Sequence, residues 1–207
     1  MITNSYVDNY KSQFLKALSF GNSFDSSQGL SVLELRKLLN KSMQKIPNEI
    51  YYKDVKNFIL HYFLINGFTN PSHKCLEYSS RALQLLEDAQ DRNIFPDVPV
   101  FLTIGNVRYK GEYVDSFKVT RNDIKRLVNI GPDLSKLKLH AWLTLHDLTV
   151  IDLTLNYSLY DQGKTQDDPD VLISWHKDSN YQFEPIVVSN LFDRLVCYGD
   201  LEPCLIK

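Results

Sequence analysis

The strictest pattern in this chain is the alternation of side chains between Lys136 and Leu145. The odd positions are Leu137, Leu139, Ala141, Leu143 and Leu145, and the even positions are Lys136, Lys138, His140, Trp142 and Thr144. A period of two predicts a β-strand with one apolar face. Leu148 to Leu155 follows as a second predicted strand, with His146 and Asp147 as exposed turn residues between them. We therefore expect an antiparallel hairpin here.

The length of the hairpin loop decides whether His140 and Asp152 lie on the same face of the sheet. Opposite residues on antiparallel strands have a constant sum of residue numbers, and these two share a face only when that sum is even. A loop of residues 145–147 sets them directly opposite, and a loop of residues 146–148 makes them diagonal neighbours. A two-residue turn at 146–147 places them on opposite faces. Cross-strand neighbours lie roughly 4.5 to 8 Å apart, which suits a hydrogen bond between imidazole and carboxylate.

Apolar periodicity predicts four helices in the first half of the chain. They cover residues 6–20, 32–45, 49–65 and 75 to about 90. The expected stop signals of the first three are Gly21, Pro47 and Gly67. Ser31 and Glu34 form a capping-box pattern before the second helix. Asn70 and Ser72 are the two candidate caps of the fourth helix, which begins near Cys75.

The second half of the chain contains β-branched and aromatic runs that are typical of strands. Strands are expected at residues 100–104, 171–173 and 186–188, a short helix at 121–130, and a polar loop at 160–170. Gly105 follows the first of these strands, where we expect a bend or a close approach of another segment. The order of elements predicts one α+β domain over residues 1–207, with a helical N-terminal portion (1–66) and a sheet-containing core (67–207).

Composition narrows the class of protein. The 207 residues are 43% hydrophobic and 12% aromatic, as in a packed globular protein, and the net charge of -2 favours neither nucleic acid nor an anionic membrane as a partner. Three cysteines (75, 197 and 204) cannot form a disulfide framework, and the N-terminus lacks a secretory signal pattern, so we expect a cytoplasmic protein. No paired Cys or His spacing predicts a metal or other cofactor. The oligomeric state is left open.

Three residues suggest nucleophilic catalysis. Cys75 lies at the expected start of a helix, where free backbone N–H groups and the helix dipole favour a thiolate. His140 is the candidate base, and Asp152, in an otherwise apolar strand, is the candidate carboxylate that orients it. An aspartate in such a strand needs a partner to offset its desolvation, and His140 can supply one.

The remaining chemistry-bearing residues favour structural interpretations. Trp142 is expected to pack beneath the site, and Trp175 and His176 are expected to begin a hairpin turn. Cys197 and Cys204 are interpreted as structural.

The residues around Cys75, the segment His140-Ala141-Trp142 and the segment Asp152-Leu153-Thr154 resemble the transglutaminase-like branch of the papain-like cysteine enzymes. In that family a Cys at a helix N-terminus faces a His and an Asp on neighbouring strands. The pattern is also similar to the core of the peptidases that cut the leader from lasso peptides. The resemblance spans roughly residues 70 to 156, with Thr144 where an acidic residue often stands and Leu153 in place of the usual Pro.

The resemblance implies a transglutaminase-like core with a Cys-bearing helix packed on an antiparallel sheet, and a Cys75-His140-Asp152 triad. The expected reaction forms a thioester from an amide of a peptide or protein substrate, and hydrolysis is the favoured outcome. The Cys75 backbone N–H is one expected donor to the oxyanion, with Asn70 and His73 as nearby candidates for the second. Transfer of the acyl group to an amine, and a non-catalytic interaction protein on the same fold, are the alternatives.

Overall fold

The structure is a computed structural model that describes residues 3–24, 31–42, 49–68, 71–114, 118–130, 139–174 and 180–196. The described helices are α1 (Thr3–Gly21), α2 (Val32–Ser42), α3 (Glu49–Ile65), α4 (Cys75–Asp91), α5 (Arg121–Ile130), α6 (Leu155–Asp161) and α7 (Phe192–Val196). The described strands are β1 (Val100–Tyr109), β2 (Glu112–Tyr113), β3 (His140–Leu145), β4 (Val150–Asp152), β5 (Leu172–Ser174) and β6 (Tyr181–Val188).

The strands form one antiparallel sheet in the order β2-β1-β3-β4-β5, and β6 pairs with β1 outside this path. Helices and an antiparallel sheet in one chain confirm the predicted α+β class. Strand β3 lies between β1 and β4; its whole length pairs with β1, and its second half, at Leu143 and Thr144, also pairs with β4.

The N-terminal helices agree with the periodicity, and two of their end signals work as predicted. The Ser31 hydroxyl accepts the Glu34 N–H at 3.2 Å, and the Glu34 carboxylate accepts the Ser31 N–H at 2.9 Å, which is the reciprocal capping box. Gly67 has φ +74°, and the Phe68 N–H donates to the Phe63 carbonyl at 2.9 Å, as in a glycine-terminated helix.

Helix α1 ends at Gly21, as predicted, and a close approach of the sheet explains why this residue is glycine. A side chain there would place its Cβ 1.9 Å from the carbonyl oxygen of Val188, at the end of β6. Glycine therefore allows α1 to lie directly against the sheet. The expected stop at Pro47 lies outside the described residues.

Helix α5 and strands β1, β5 and β6 occur where helix and strand signals predicted them, although β1 continues beyond Ile104 to Tyr109 and β6 begins at Tyr181, five residues before its predicted start. The expectation of a close approach at Gly105 is confirmed. Its Cβ would lie 2.2 Å from the Glu184 carbonyl oxygen and 2.9 Å from the Trp142 ring, and the β1–β6 register shifts there.

The prediction of a strand from Leu148 to Leu155 is wrong in its second half. Strand β4 ends at Asp152 and α6 begins at Leu155, which also shortens the expected polar loop at its start. The physical reason is local, because Oδ1 of Asp152 accepts the N–H groups of Thr154 at 3.0 Å and Leu155 at 2.9 Å and turns the chain into a helix.

Both faces of β3 are buried over its described length, the face of His140, Trp142 and Thr144 included. On one face, Ala141, Leu143 and Leu145 pack with α4. On the other face, Trp142 packs with Tyr10 and Phe14 of α1. Helix α1 therefore covers the face of β3 that carries His140, Trp142 and Thr144. Lys136 and Lys138 lie outside the described residues.

No helix within the described ranges has the length and apolar character required to cross a membrane.

Candidate active site

Cys75 is the first residue of α4, in the position that the sequence predicted. The residue before it, Lys74, is the helix cap and makes no side-chain capping bond, so Ser72 is not the cap, and Asn70 lies outside the described residues. A turn precedes the helix, with the Lys74 N–H donating to the Pro71 carbonyl at 3.1 Å and His73 at φ +59°. The first hydrogen bond of the helix is donated by Tyr78 to Lys74. The N–H groups of residues 75–77 thus precede it, at the positive end of the helix.

The start of α4 is bonded to the start of β3. The Cys75 thiol donates to the Leu139 carbonyl at 3.3 Å, and the Ser79 hydroxyl, one turn later, donates to the Ala141 carbonyl at 3.1 Å. The Cys75 side chain is only 6% exposed. These two bonds hold the sulfur beside the first residue of β3, which is His140.

The hairpin register confirms an even sum and selects one of the three loops considered. Leu143 pairs with Ile151 and Thr144 with Val150, so the loop is residues 146–148 and His140 is the diagonal neighbour of Asp152. Leu148 adopts φ +72° in this loop and is fully buried. The left-handed conformation costs about 1–2 kcal/mol. Burial of a leucine side chain contributes about 1.5–3 kcal/mol and offsets it.

His140 and Asp152 form a fully buried pair. Nε2 of His140 lies 2.5 Å from Oδ2 of Asp152, and both side chains are 0% exposed. The other carboxylate oxygen accepts the two N–H bonds at the start of α6. Each oxygen of Asp152 therefore has its own partner, and the carboxylate is held rigidly against the imidazole.

The electrostatics of His140 link all three predicted residues. Burial lowers the pKa of His140, but the charge and hydrogen bond of Asp152, together with a hydrogen bond and charge interaction with Cys75, outweigh burial and raise the pKa to about 10. A cationic imidazole beside a thiol favours the thiolate. The structure thus brings Cys75, His140 and Asp152 together, with the imidazole in the middle.

Trp142 packs beneath the site, as the sequence predicted. Its indole is fully buried, with its centroid 5.9 Å from that of the His140 ring and 5.1 Å from that of Phe183. His146 and Asp147 do lie in the turn, but the expectation that they are exposed is wrong. Both are partly buried, and the Tyr52 hydroxyl of α3 donates to the Asp147 carboxylate.

Of the two candidates for the second oxyanion donor, His73 and Asn70, the structure describes only His73. The His73 backbone N–H donates to the Ser158 hydroxyl at 3.3 Å, so in this structure it binds α6 instead of facing the sulfur. The His73 side chain is exposed. Asn70 lies outside the described residues, as do Trp175, His176, Cys197 and Cys204.

Two supporting residues were not found by sequence reasoning. Ser158 of α6 anchors the turn before Cys75, and Tyr10 of α1 donates or accepts a bond with Thr144 across 134 positions of chain. The Asp-x-Thr spacing contained a signal for the start of α6, because Asp side chains commonly bond to N–H groups two or three residues later. No local signal links Tyr10 to β3.

Among the residues that the structure describes, no group of three or more His, Cys, Asp or Glu side chains is arranged to hold a metal ion. Comparisons with known proteins found no matching family model, no matching curated protein and no matching solved structure.

Proposed function

We propose that this protein is a cysteine-dependent acyl-transfer enzyme that hydrolyses an amide bond in a peptide or protein. Cys75 is the nucleophile, His140 the base and Asp152 the group that orients the imidazole. One observation carries the proposal: a single buried imidazole bonds to the Asp152 carboxylate at 2.5 Å, and the Cys75 thiol is held beside it by its bond to the Leu139 carbonyl. A thiol used only for packing needs no such pair beside it.

The reaction proceeds in two balanced steps. The proton that His140 carries is the one that Cys75 gives up; the thiolate attacks the carbonyl carbon to form a C–S bond, and the C–N bond breaks as His140 passes that proton to the leaving amine. His140 then deprotonates a water molecule, whose oxygen attacks the thioester carbon. The C–S bond breaks, the acid product leaves and the thiol is restored. Asp152 orients the imidazole and stabilises the imidazolium.

The proposal includes a transglutaminase-like core over residues 67–207. It is supported by a cysteine at the first position of α4, a helix packed on an antiparallel sheet, and a His and an Asp on neighbouring strands. A thiolate nucleophile also suits a reducing compartment such as the cytoplasm.

A thiol-alkylating probe tests whether Cys75 is activated. At neutral pH we expect Cys75 to be labelled faster than Cys197 and Cys204, and His140→Ala to slow only the labelling of Cys75. Residue-resolved mass spectrometry measures all three rates in one sample, so the other two cysteines serve as internal controls. Equal rates at all three, unchanged in His140→Ala, would contradict the proposal.

Incubation with a peptide library plus an amine donor tests the reaction itself. We expect wild type and the control Cys204→Ala to cleave or deamidate peptides, and Cys75→Ala to lose this activity. Mass spectrometry distinguishes the outcomes, because hydrolysis adds the mass of water or converts an amide to an acid. Amine incorporation that depends on Cys75 would replace hydrolysis by acyl transfer. No modification by wild type would favour the non-catalytic alternative.

A further inference from the structure

We propose that Tyr10 of α1 is a positioning residue for His140, and that it acts through Trp142. The inference rests on the proposed function, because it concerns the same histidine. It assigns a role in the site to α1, whose Tyr10 lies 130 residues before His140 in the chain.

Tyr10 determines where the Trp142 indole lies. Nε1–H of Trp142 donates to the Tyr10 hydroxyl oxygen at 3.1 Å, and both side chains are buried, at 0% and 2% exposure. An indole N–H has a single hydrogen to donate and loses its solvation when it is buried. Its bond to Tyr10 therefore selects one orientation of the ring.

Trp142 in turn supports the catalytic pair. Its ring is tilted by 32° to the His140 ring at a centroid distance of 5.9 Å. In the β3–β4 register, Trp142 is the residue directly opposite Asp152. The indole also lies over Gly105, where a Cβ would come within 2.9 Å of it, and Gly105 is the β1 partner of His140. A shift of the indole would therefore change its packing against the His140 ring and against the backbone of Gly105.

The Tyr10 hydroxyl is itself held by the sheet. It lies 3.0 Å from the Thr144 hydroxyl, which lies 2.9 Å from the Thr103 hydroxyl. Because Tyr10 accepts from Trp142, its own hydrogen is available to Thr144. This chain of buried bonds gives Thr144 a function at the position where the resembled family often has an acidic residue.

The test compares wild type, His140→Ala, Tyr10→Phe and a matched control, Tyr181→Phe. The control removes another tyrosine hydroxyl that bonds across the fold, to Asn156 at 2.9 Å, but does not bond to Trp142. The rate of Cys75 alkylation is measured from pH 5 to 10 in each protein. The indole N–H resonance of Trp142 is followed by NMR, and the two tryptophans in the chain make its assignment simple.

We expect Tyr10→Phe to move the Trp142 N–H resonance and to slow Cys75 alkylation at pH 7 by about three- to tenfold, the equivalent of one buried hydrogen bond. The pH midpoint of alkylation should rise, because a displaced imidazole stabilises the thiolate less. Tyr181→Phe should leave both the midpoint and the Trp142 resonance unchanged. If Tyr10→Phe does not fold, Thr144→Val is used, with the same direction and a smaller change expected.

A lower melting temperature of Tyr10→Phe with an unchanged pH midpoint of Cys75 alkylation would overturn the inference, since Tyr10 would then be merely structural. An equal shift in Tyr181→Phe would overturn it as well. The His140→Ala arm separates this failure from that of the proposed function. If His140→Ala retains the wild-type profile, the triad itself is wrong; if it alone changes the profile, only the role of Tyr10 is wrong.

Discussion

The two faces of the central sheet are built from different chemistry. The face under α4 is packed mainly with aliphatic side chains, such as Leu83 and Leu86 of the helix against Leu143 of β3. The face under α1 buries polar side chains that are hydrogen-bonded to each other, among them His140 with Asp152 and Trp142 with Tyr10. Cys75 comes from the α4 side and meets His140 at the first residue of β3.

This difference separates what stabilises the fold from what sets the geometry of the site. Aliphatic packing is non-directional and tolerates small adjustments, whereas a buried hydrogen bond requires its partner at one distance and one angle. We therefore expect substitutions on the two faces to cost similar stability. Apart from Cys75 and Ser79, whose bonds join the start of α4 to β3, only residues on the α1 face should change the chemistry of Cys75 when they are replaced.

The largest expected effect is that of Asp152→Ala. Leaving His140 buried without its partner and removing the acceptor of two N–H groups should lower the free energy of unfolding by about 3–5 kcal/mol. Urea denaturation measures this loss, and Asp152→Asn, which keeps an oxygen for the N–H groups, should lose less. Leu83→Ala, on the α4 face, should lose a comparable 2–5 kcal/mol. A Leu83→Ala protein with an altered pH profile of Cys75 alkylation would contradict the distinction between the faces.

The pH dependence of the free energy of unfolding should report the protonation of His140 directly. Its pKa in the folded protein is raised to about 10 from the ordinary value of 6.5, so the folded state binds the proton more tightly. The resulting stabilisation is fully present below pH 6.5 and is lost as the pH rises through 10. Unfolding midpoints in urea from pH 6 to 10 should therefore fall more steeply in wild type than in His140→Gln. Parallel curves for the two proteins would show that His140 does not titrate in this way.

Gly105→Ala should disturb the α1 face with one methyl group. The added Cβ would meet the Glu184 carbonyl oxygen and the Trp142 ring, so we expect a loss of about 1–3 kcal/mol together with slower alkylation of Cys75. Gly67→Ala is the control, because its Cβ meets nothing within 4 Å and the cost of about 1 kcal/mol comes only from φ +74°. Thermal melts and alkylation rates of both variants test this. Normal Cys75 reactivity in Gly105→Ala would argue against coupling through Trp142.

The smallest expected effect is a gain from His73→Gly. His73 has φ +59° in the turn before Cys75, and glycine relieves this strain, for an expected gain of about 0.5–1 kcal/mol. Asn93→Gly, at φ +58° after α4, should gain less because asparagine tolerates the left-handed region better. Differential scanning calorimetry compares the two variants. A destabilised His73→Gly would show that the His73 side chain contributes contacts that outweigh the strain.

Much of the local structure and all three candidate site residues were predictable. The Ser31–Glu34 capping box and the 121–130 helix depend on residues a few positions apart, so their signals are complete within a short window. The placement of Cys75 at a helix start and of His140 and Asp152 on neighbouring strands was predictable because the start of a helix and the period of a strand are also local. Asp152 was placed correctly as a partner of His140, but its second role in starting α6 was missed.

The sequence by itself determined the hairpin, its period of two and the helix that begins at Cys75, because each follows from short-range sterics and alternation. Only the tertiary structure decided which hairpin loop forms, since burial of Leu148 offsets its left-handed backbone. The tertiary structure also decided that α1 buries the face of β3 that carries His140, Trp142 and Thr144. Tyr10 of α1 and Thr144 are 134 positions apart in the chain, and their hydrogen bond forms only when packing brings the two segments together.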